Sequence, residues 1–207
     1  TVGAHFGVIL VCETVDGTEI ATEVATFRND GAYSDGRRPD AVRFSTSPEE
    51  DVRRRDFTIN GLLLDPFAYE AGAGDVESAT LDYVDGRRDI ADGVVRAIGD
   101  PKLRFAEDKL RMLRAVRFAA RLDYRIDEAT AGAIHCQAAE IGQVSQERIR
   151  DELTRILTEG GARRGFELLY RLGLLARVLP EAVRMRGVAQ PPEYHPEGDC
   201  LLYTSPS

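Results

Sequence analysis

The chain has 207 residues, 43% of them hydrophobic and 30% charged, enough for more than one folded unit with its own core. No apolar run approaches the length of a membrane span, which argues against a membrane role, and the net charge of −8 argues against coating nucleic acid by bulk charge. The opening Thr1-Val2-Gly3-Ala4-His5-Phe6 has no basic segment leading into an apolar one, so the expected location is the cytoplasm.

Phe6 to Val11 is a short apolar run and Thr18 to Thr26 alternates in polarity, with Asp16-Gly17 between them. That dipeptide predicts a hairpin of two antiparallel strands. Arg28 to Pro39 is rich in Asn, Asp, Gly and Ser and reads as a loop, with Val42-Arg43-Phe44 as a brief strand after it. Ser47-Pro48-Glu49-Glu50 carries the marks of a helix start: a capping serine, proline at the first position and glutamate three residues on. The helix is expected to run through Asp51 to Leu64 and stop before Asp65-Pro66. Ala71 to Ala79 reads as loop, and Leu81 to Val84 and Val94 to Ile98 as weaker strands.

From Pro101 onward apolar spacing of three and four replaces alternation, so the second half is expected to be helical. One helix is predicted from about Leu103 to Leu122, another after Asp127, a third from Ser145 to Gly160-Gly161, and a fourth from about Ala162 to Leu172 before Gly173. Cys12, Cys136 and Cys200 are far apart and form no metal-binding or disulfide pattern.

Two constellations carry possible chemistry. On the helix after Pro101, Met112, Leu113, Val116, Ala119 and Ala120 share one arc while Arg111, Arg114, Arg117 and Arg121 sweep across the other. Such arginines either form a solvated face paired with Glu107 and Asp108 or aim guanidinium forks at a triphosphate; periodicity does not separate the two. In Arg53-Arg54-Arg55-Asp56-Phe57-Thr58-Ile59-Asn60 a solvated charge run does not require asparagine, a poor helix former. A polar role for Asn60 is therefore favoured, with Asp56 a candidate for a ribose hydroxyl or a metal and Arg55 for a phosphate.

Taken together, Arg54 to Asn60, Arg104-Phe105-Ala106-Glu107-Asp108 continuing to Ala119, and Glu147-Arg148-Ile149-Arg150-x-Glu152-Leu153 resemble three successive motifs of the class II CCA-adding tRNA nucleotidyltransferase and bacterial poly(A) polymerase family. The likeness extends upstream to Phe6-Gly7-Val8 and Glu23 to Arg28, and covers about residues 1 to 198. It implies an α+β chain: a remnant of a polymerase-β-like nucleotidyltransferase head over 1–99, a nucleotide-selecting helical neck over 100–160, the start of a helical RNA-binding body over 161–199 and an anomalous tail over 200–207.

The resemblance also implies roles. Arg55 would contact the phosphate and Asp56 the sugar of the incoming nucleotide. Asp108 and Arg111 would act as a protein template for CTP or ATP, with Arg114 and Arg117 supporting the triphosphate. Arg148 and Glu152 would brace the arginine-bearing helix, and Arg28 to Pro39 would be the loop that helps switch between CTP and ATP. The expected activity is addition of CCA to tRNA 3′ ends, with poly(A) addition to RNA, or noncatalytic RNA or nucleotide binding, as alternatives. The reaction needs two Mg²⁺ ions. In the family an Asp-x-Asp pair holds them, preceded by Gly-Gly-x-Val-Arg-Asp, and both would precede Thr1, so the chain as written is expected to bind nucleotide weakly without transferring it. Glu23, Asp30 and Asp35 are not read as replacements. His195 and Asp199 are read as remnants of a downstream metal-hydrolase segment without a complete site.

Overall fold

A computed structural model of the chain describes residues 7–30, 42–185 and 188. Strands β1 (Val8–Val15) and β2 (Thr18–Ala25) pair antiparallel in the register Ile9 to Val24 and Val15 to Thr18. Asp16 and Gly17 turn the chain with φ of 49° and 79°, the left-handed pair whose twist matches a tight hairpin. β3 (Arg28–Asp30) pairs with β4 (Val42–Phe44). The segment expected to be loop thus begins as a strand; 31–41 lie outside the described residues, as does the tail.

Helix α1 (Pro48–Arg53) starts as expected: Ser47 Oγ accepts the Glu50 N–H at 3.4 Å and proline occupies the first turn. It ends eleven residues earlier than the predicted Leu64. The backbone from Asp56 to Thr58 instead lies extended along residues 96–98, with Ile98 N–H donating to Asp56 O and Thr58 N–H to Arg96 O, each at 3.0 Å. This pairing drives Phe57 into the core with no exposed surface. Burial of a ring outweighs the fraction of a kcal/mol per residue that helix propensity contributes. A 3-10 turn (Thr58–Asn60) follows, then β5 (Leu62–Leu64), which pairs antiparallel with β6 (Thr80–Asp82).

Three short helices occupy segments read as loop or strand boundary: α2 (Pro66–Ala71), α3 (Val76–Ala79) and α4 (Gly86–Ala91). Asp65-Pro66, taken only as a stop signal, is also a start: the Asp65 carboxylate accepts the Phe67 and Ala68 N–H groups at 2.9 and 3.2 Å. Before α4 the Asp82 carboxylate gathers three backbone N–H groups, from Val84, Gly86 and Arg87, at 2.9 to 3.1 Å.

From Pro101 to Arg184 the chain is helical, apart from turns and a two-residue strand β8 (Arg125–Ile126) parallel to β7 (Val94–Val95), which the sequence did not announce. The single helix expected from Leu103 to Leu122 is two, α5 (Pro101–Glu107) and α6 (Arg111–Leu122). Asp108 breaks it at φ −148° and ψ 108°, its side chain accepting the Leu110 N–H at 3.0 Å in place of a helical bond. α7 (Glu128–Gln137), a 3-10 turn (Ala138–Gln143), α8 (Gln146–Thr158), α9 (Ala162–Arg171), α10 (Leu175–Val178) and α11 (Pro180–Arg184) follow. The apolar face of α6 is the centre of the core: Met112, Leu113, Ala115, Val116 and Ala119 are fully buried, packed against α8 and α9. Gly165 lets α9 approach, since a Cβ there would collide with Ile156 on α8. The result is the α+β arrangement expected: among the described residues, three antiparallel strand pairs and one short parallel pair with stacked helices.

Candidate functional site

The turn after α1, the α5–α6 break and the start of α8 converge on an open cleft of about 600 Å³. It is lined by Arg54, Arg55, Asp56, Asn60, Asp108, Leu110, Arg111, Arg114, Phe118 and Arg148. Five arginines against two aspartates make it a site for an anion, and both aspartates are already bonded.

Asp56, 7% exposed, uses both oxygens. Oδ1 accepts the Phe57 N–H at 2.9 Å and Asn60 Nδ2 at 3.0 Å, and Oδ2 accepts Arg114 Nε at 2.7 Å, with Arg114 Nη2 in ion-pair contact at 2.7 Å. Both oxygens of the carboxylate are thus engaged. Asn60, singled out by its low helix propensity, earns its place by orienting Asp56. Asp108 receives Arg148 Nη2 at 2.8 Å and Nη1 at 3.3 Å. Arg111 donates to Glu107 at 2.5 Å and to the carbonyls of Arg104 and Arg54 at 3.1 and 3.3 Å. Arg55 donates to Asp51 Oδ2 and to Asn60 O, and its side chain is 37% exposed.

Of the six residues expected to hold nucleotide, Arg55, Asp56, Asp108, Arg111 and Arg114 come together in this cleft, and Arg117 does not. Its side chain, 6% exposed, bonds Glu152 on α8 at 2.8 Å and Glu159 at 3.4 Å. At about 100° per residue, each three-residue step rotates the arginines by 60°, so by Arg117 the row has turned from the cleft to the α6–α8 interface. In this structure Arg117 forms an interhelical ion pair and does not line the cleft. Phe118 was not foreseen in the cleft. Its ring stands under the guanidinium groups of Arg114 and Arg117 at 5.5 and 4.3 Å and edge-on to Phe57 at 5.9 Å. Arg148, expected only as a brace, both braces and lines the cleft.

Below the cleft, Asp51 accepts from Arg54, Arg55 and the Arg28 N–H. Burial alone would raise its pKa, but the hydrogen bonds and charge of Arg54, then the bonds of Arg55 and Arg28, bring it below the ordinary carboxylate value. Asp82 behaves alike: burial opposes, the N–H groups of Arg87, Val84 and Gly86 prevail, and its pKa falls. Both groups bind protons more readily when unfolded. Their stabilisation is complete above the unfolded value of about 3.9 and is lost as pH falls through the lower folded values. Urea midpoints should therefore drop steeply below about pH 4, and Asp82→Asn should make that drop shallower; an unchanged slope would remove Asp82 from the account.

The Mg²⁺ implied by the resemblance does not fit these residues. Both cleft carboxylates are committed to arginines, and among the described residues no group of three or more His, Cys, Asp or Glu side chains could hold a metal. Glu23 is exposed on β2. The side chains of Asp30, Asp35, His195 and Asp199 lie outside the described residues.

Comparison with known proteins fits this geometry. Residues 1–96 match the family model "Poly A polymerase head domain" and residues 123–185 match "Probable RNA and SrmB- binding site of polymerase A". The CCA-adding enzyme of Leuconostoc mesenteroides is 39% identical over 82% of this chain and 39% of its own length. The chain belongs to the CCA-adding enzyme and poly(A) polymerase family of nucleotidyltransferases. The Geobacillus enzyme of that family is 38% identical over 84% of this chain and 39% of its own, so the chain spans about two fifths of the length of the curated relatives it matches. Among solved structures, the Bacillus stearothermophilus CCA-adding enzyme in complex with CTP superposes with a TM-score of 0.67 at 34% identity, covering 84% of this chain and 38% of the other. A CCA-adding enzyme with ATP gives 0.63 at 25% identity, over 84% and 36%. No helix among the described residues is long and apolar enough to cross a membrane.

Proposed function

We propose that this chain is the nucleotide-selecting part of an enzyme that adds CCA to tRNA 3′ ends from CTP and ATP, acting in the cytoplasm where tRNA is matured. The observation that carries this reading is the arginine-lined cleft with Asp108 and Arg111 at the helix break, in a chain whose relatives are CCA-adding enzymes. Residues 1–99 are read as part of the nucleotidyltransferase head, 100–160 as the neck and 161–199 as the start of the RNA-binding body.

Arg55 and Arg114 face the phosphates of the nucleotide. Asp56 acts here through Arg114, holding the fork beside the sugar instead of spending an oxygen on the ribose. Selection of the base follows from donor and acceptor order. Cytosine and adenine each present an amino donor next to a ring-nitrogen acceptor, which an aspartate and an arginine side by side can satisfy. Uracil and guanine reverse that order and would set donor against donor. In the complete protein the transfer itself is attack of the RNA 3′ hydroxyl on the α-phosphate with release of pyrophosphate. Magnesium would stabilise the oxygens of that reaction, but no step through it is assigned to these residues.

The test is incorporation by the full-length protein on tRNA lacking its terminal CCA. Addition of two C and one A is expected; addition of A alone, on RNAs of any kind, would mean a poly(A) polymerase, and no addition a binding module. Asp108→Ala is expected to raise UTP and GTP incorporation relative to CTP and ATP by about tenfold, the value of one lost bidentate contact, with a smaller change in triphosphate affinity. Unchanged discrimination would remove Asp108 from base selection.

A further inference from the structure

Asp51 does not line the cleft, yet two of the cleft's arginines, Arg54 and Arg55, are built on it. Its carboxylate is 3% exposed. Oδ1 accepts Arg54 Nε at 3.0 Å and Nη2 at 2.5 Å, and Oδ2 accepts Arg55 Nε and Nη2 at 3.2 and 3.1 Å. Arg54 and Arg55 stand three and four residues after Asp51, the two spacings that one helical turn brings beside a single residue, so both reach the same anion at the end of α1. The same carboxylate accepts the Arg28 N–H at 3.3 Å, while the Arg28 carbonyl accepts Arg54 Nε at 3.1 Å. The first residue of β3 is therefore tied to the same hub as the two arginines.

We infer that Asp51 is a positioning residue for nucleotide binding, which orders Arg54 and Arg55 toward the phosphates and ties their orientation to the start of β3. The inference rests on the nucleotide reading of the cleft. Two guanidinium groups on adjacent residues repel each other and carry several rotatable bonds; an anion between them removes the repulsion and pre-pays the ordering entropy. The depressed pKa of Asp51 keeps it an anion throughout the neutral range. Asp108 draws its own support from Arg148 on α8, and Arg111 meets the hub only at the Arg54 carbonyl, not at its guanidinium.

The role makes a selective forecast. Asp51→Asn keeps the shape but puts an amide donor against guanidinium donors. In the full-length protein, CTP affinity measured by calorimetry is expected to fall about tenfold, the equivalent of one charge-assisted hydrogen bond. CMP affinity should fall less than about twofold, since only the outer phosphates lose their grip. Asp51→Asn added to the pair Arg54→Gln and Arg55→Gln should cost little beyond that pair alone, because the three act as one unit. If Asp51→Asn does not fold, Asp51→Glu, which keeps the charge and displaces the carboxylate, is expected to give the same split between CTP and CMP. A purely structural Asp51 would weaken CTP and CMP alike or change neither, and either result overturns the inference. Wild-type protein that fails to bind CTP would overturn the nucleotide reading itself, and this inference with it.

Discussion

Replacing Glu152 by alanine is expected to cost about 3 kcal/mol of stability, the lower end of what breaking a buried ion pair costs. Glu152 and Arg117 meet at 2.8 Å with only 6% of each side chain exposed. Removing the glutamate leaves a guanidinium that cannot shed its proton pinned against the Phe118 ring at 4.3 Å. Glu159, 3.4 Å from Arg117 and 31% exposed, takes up part of the charge, which is why the lower end is expected. Glu152→Gln retains an acceptor and should cost about half as much. Replacing the pair together, Arg117→Met with Glu152→Leu, should be near neutral, since buried ion pairs often contribute little over well-packed apolar residues. Urea denaturation of the three variants checks the order; a loss below about 1 kcal/mol in Glu152→Ala would place the pair with exposed ones. The effect should also reach the cleft, because α8 carries Arg148, the partner of Asp108.

What could be read in advance depended on whether the deciding interaction was local. The hairpin was legible because Asp16-Gly17 fixes its own turn and the flanking residues alternate. The ends of α8 and α9 were legible because Gly160-Gly161 and Gly173 adopt positive φ. The length of α1 was not, since what ends it is pairing with residues forty positions away, at Phe57 and Ala97. The break at Asp108 escaped because Phe105 before it and Met112 after it fall on one apolar arc of a continuous helix. Yet that break takes Asp108 out of the helix and leaves its carboxylate within reach of Arg148. Within the site, five of the six nucleotide candidates that the motifs named reach the cleft. Arg117 stands outside the cleft by the same drift that the three-residue spacing made visible; which arginine would leave the cleft depended on where α8 lay.

Arg114→Lys is the most demanding test of the cleft. Charge is conserved, so a site that needs only a cation would tolerate it. The geometry asks for more: two nitrogens of Arg114 reach one Asp56 oxygen at 2.7 Å while the guanidinium plane lies 5.5 Å from the Phe118 ring. A lysine ammonium offers a single point, strongly hydrated, and holds neither the fork nor the stacked orientation. Asp56, 7% exposed, would keep only Asn60 and the Phe57 N–H as firm partners. Stability should fall by about 1–2 kcal/mol for the weakened buried acceptor. CTP affinity should fall about 100-fold, or roughly 2.7 kcal/mol, since both the phosphate contact and its alignment are lost. Asp56→Asn separates the two contributions. It leaves Arg114 charged but unaligned, and should bind CTP better than Arg114→Lys and worse than wild type. CTP binding by Arg114→Lys at wild-type strength would show that charge suffices, and that the Asp56 fork serves the fold and not the nucleotide.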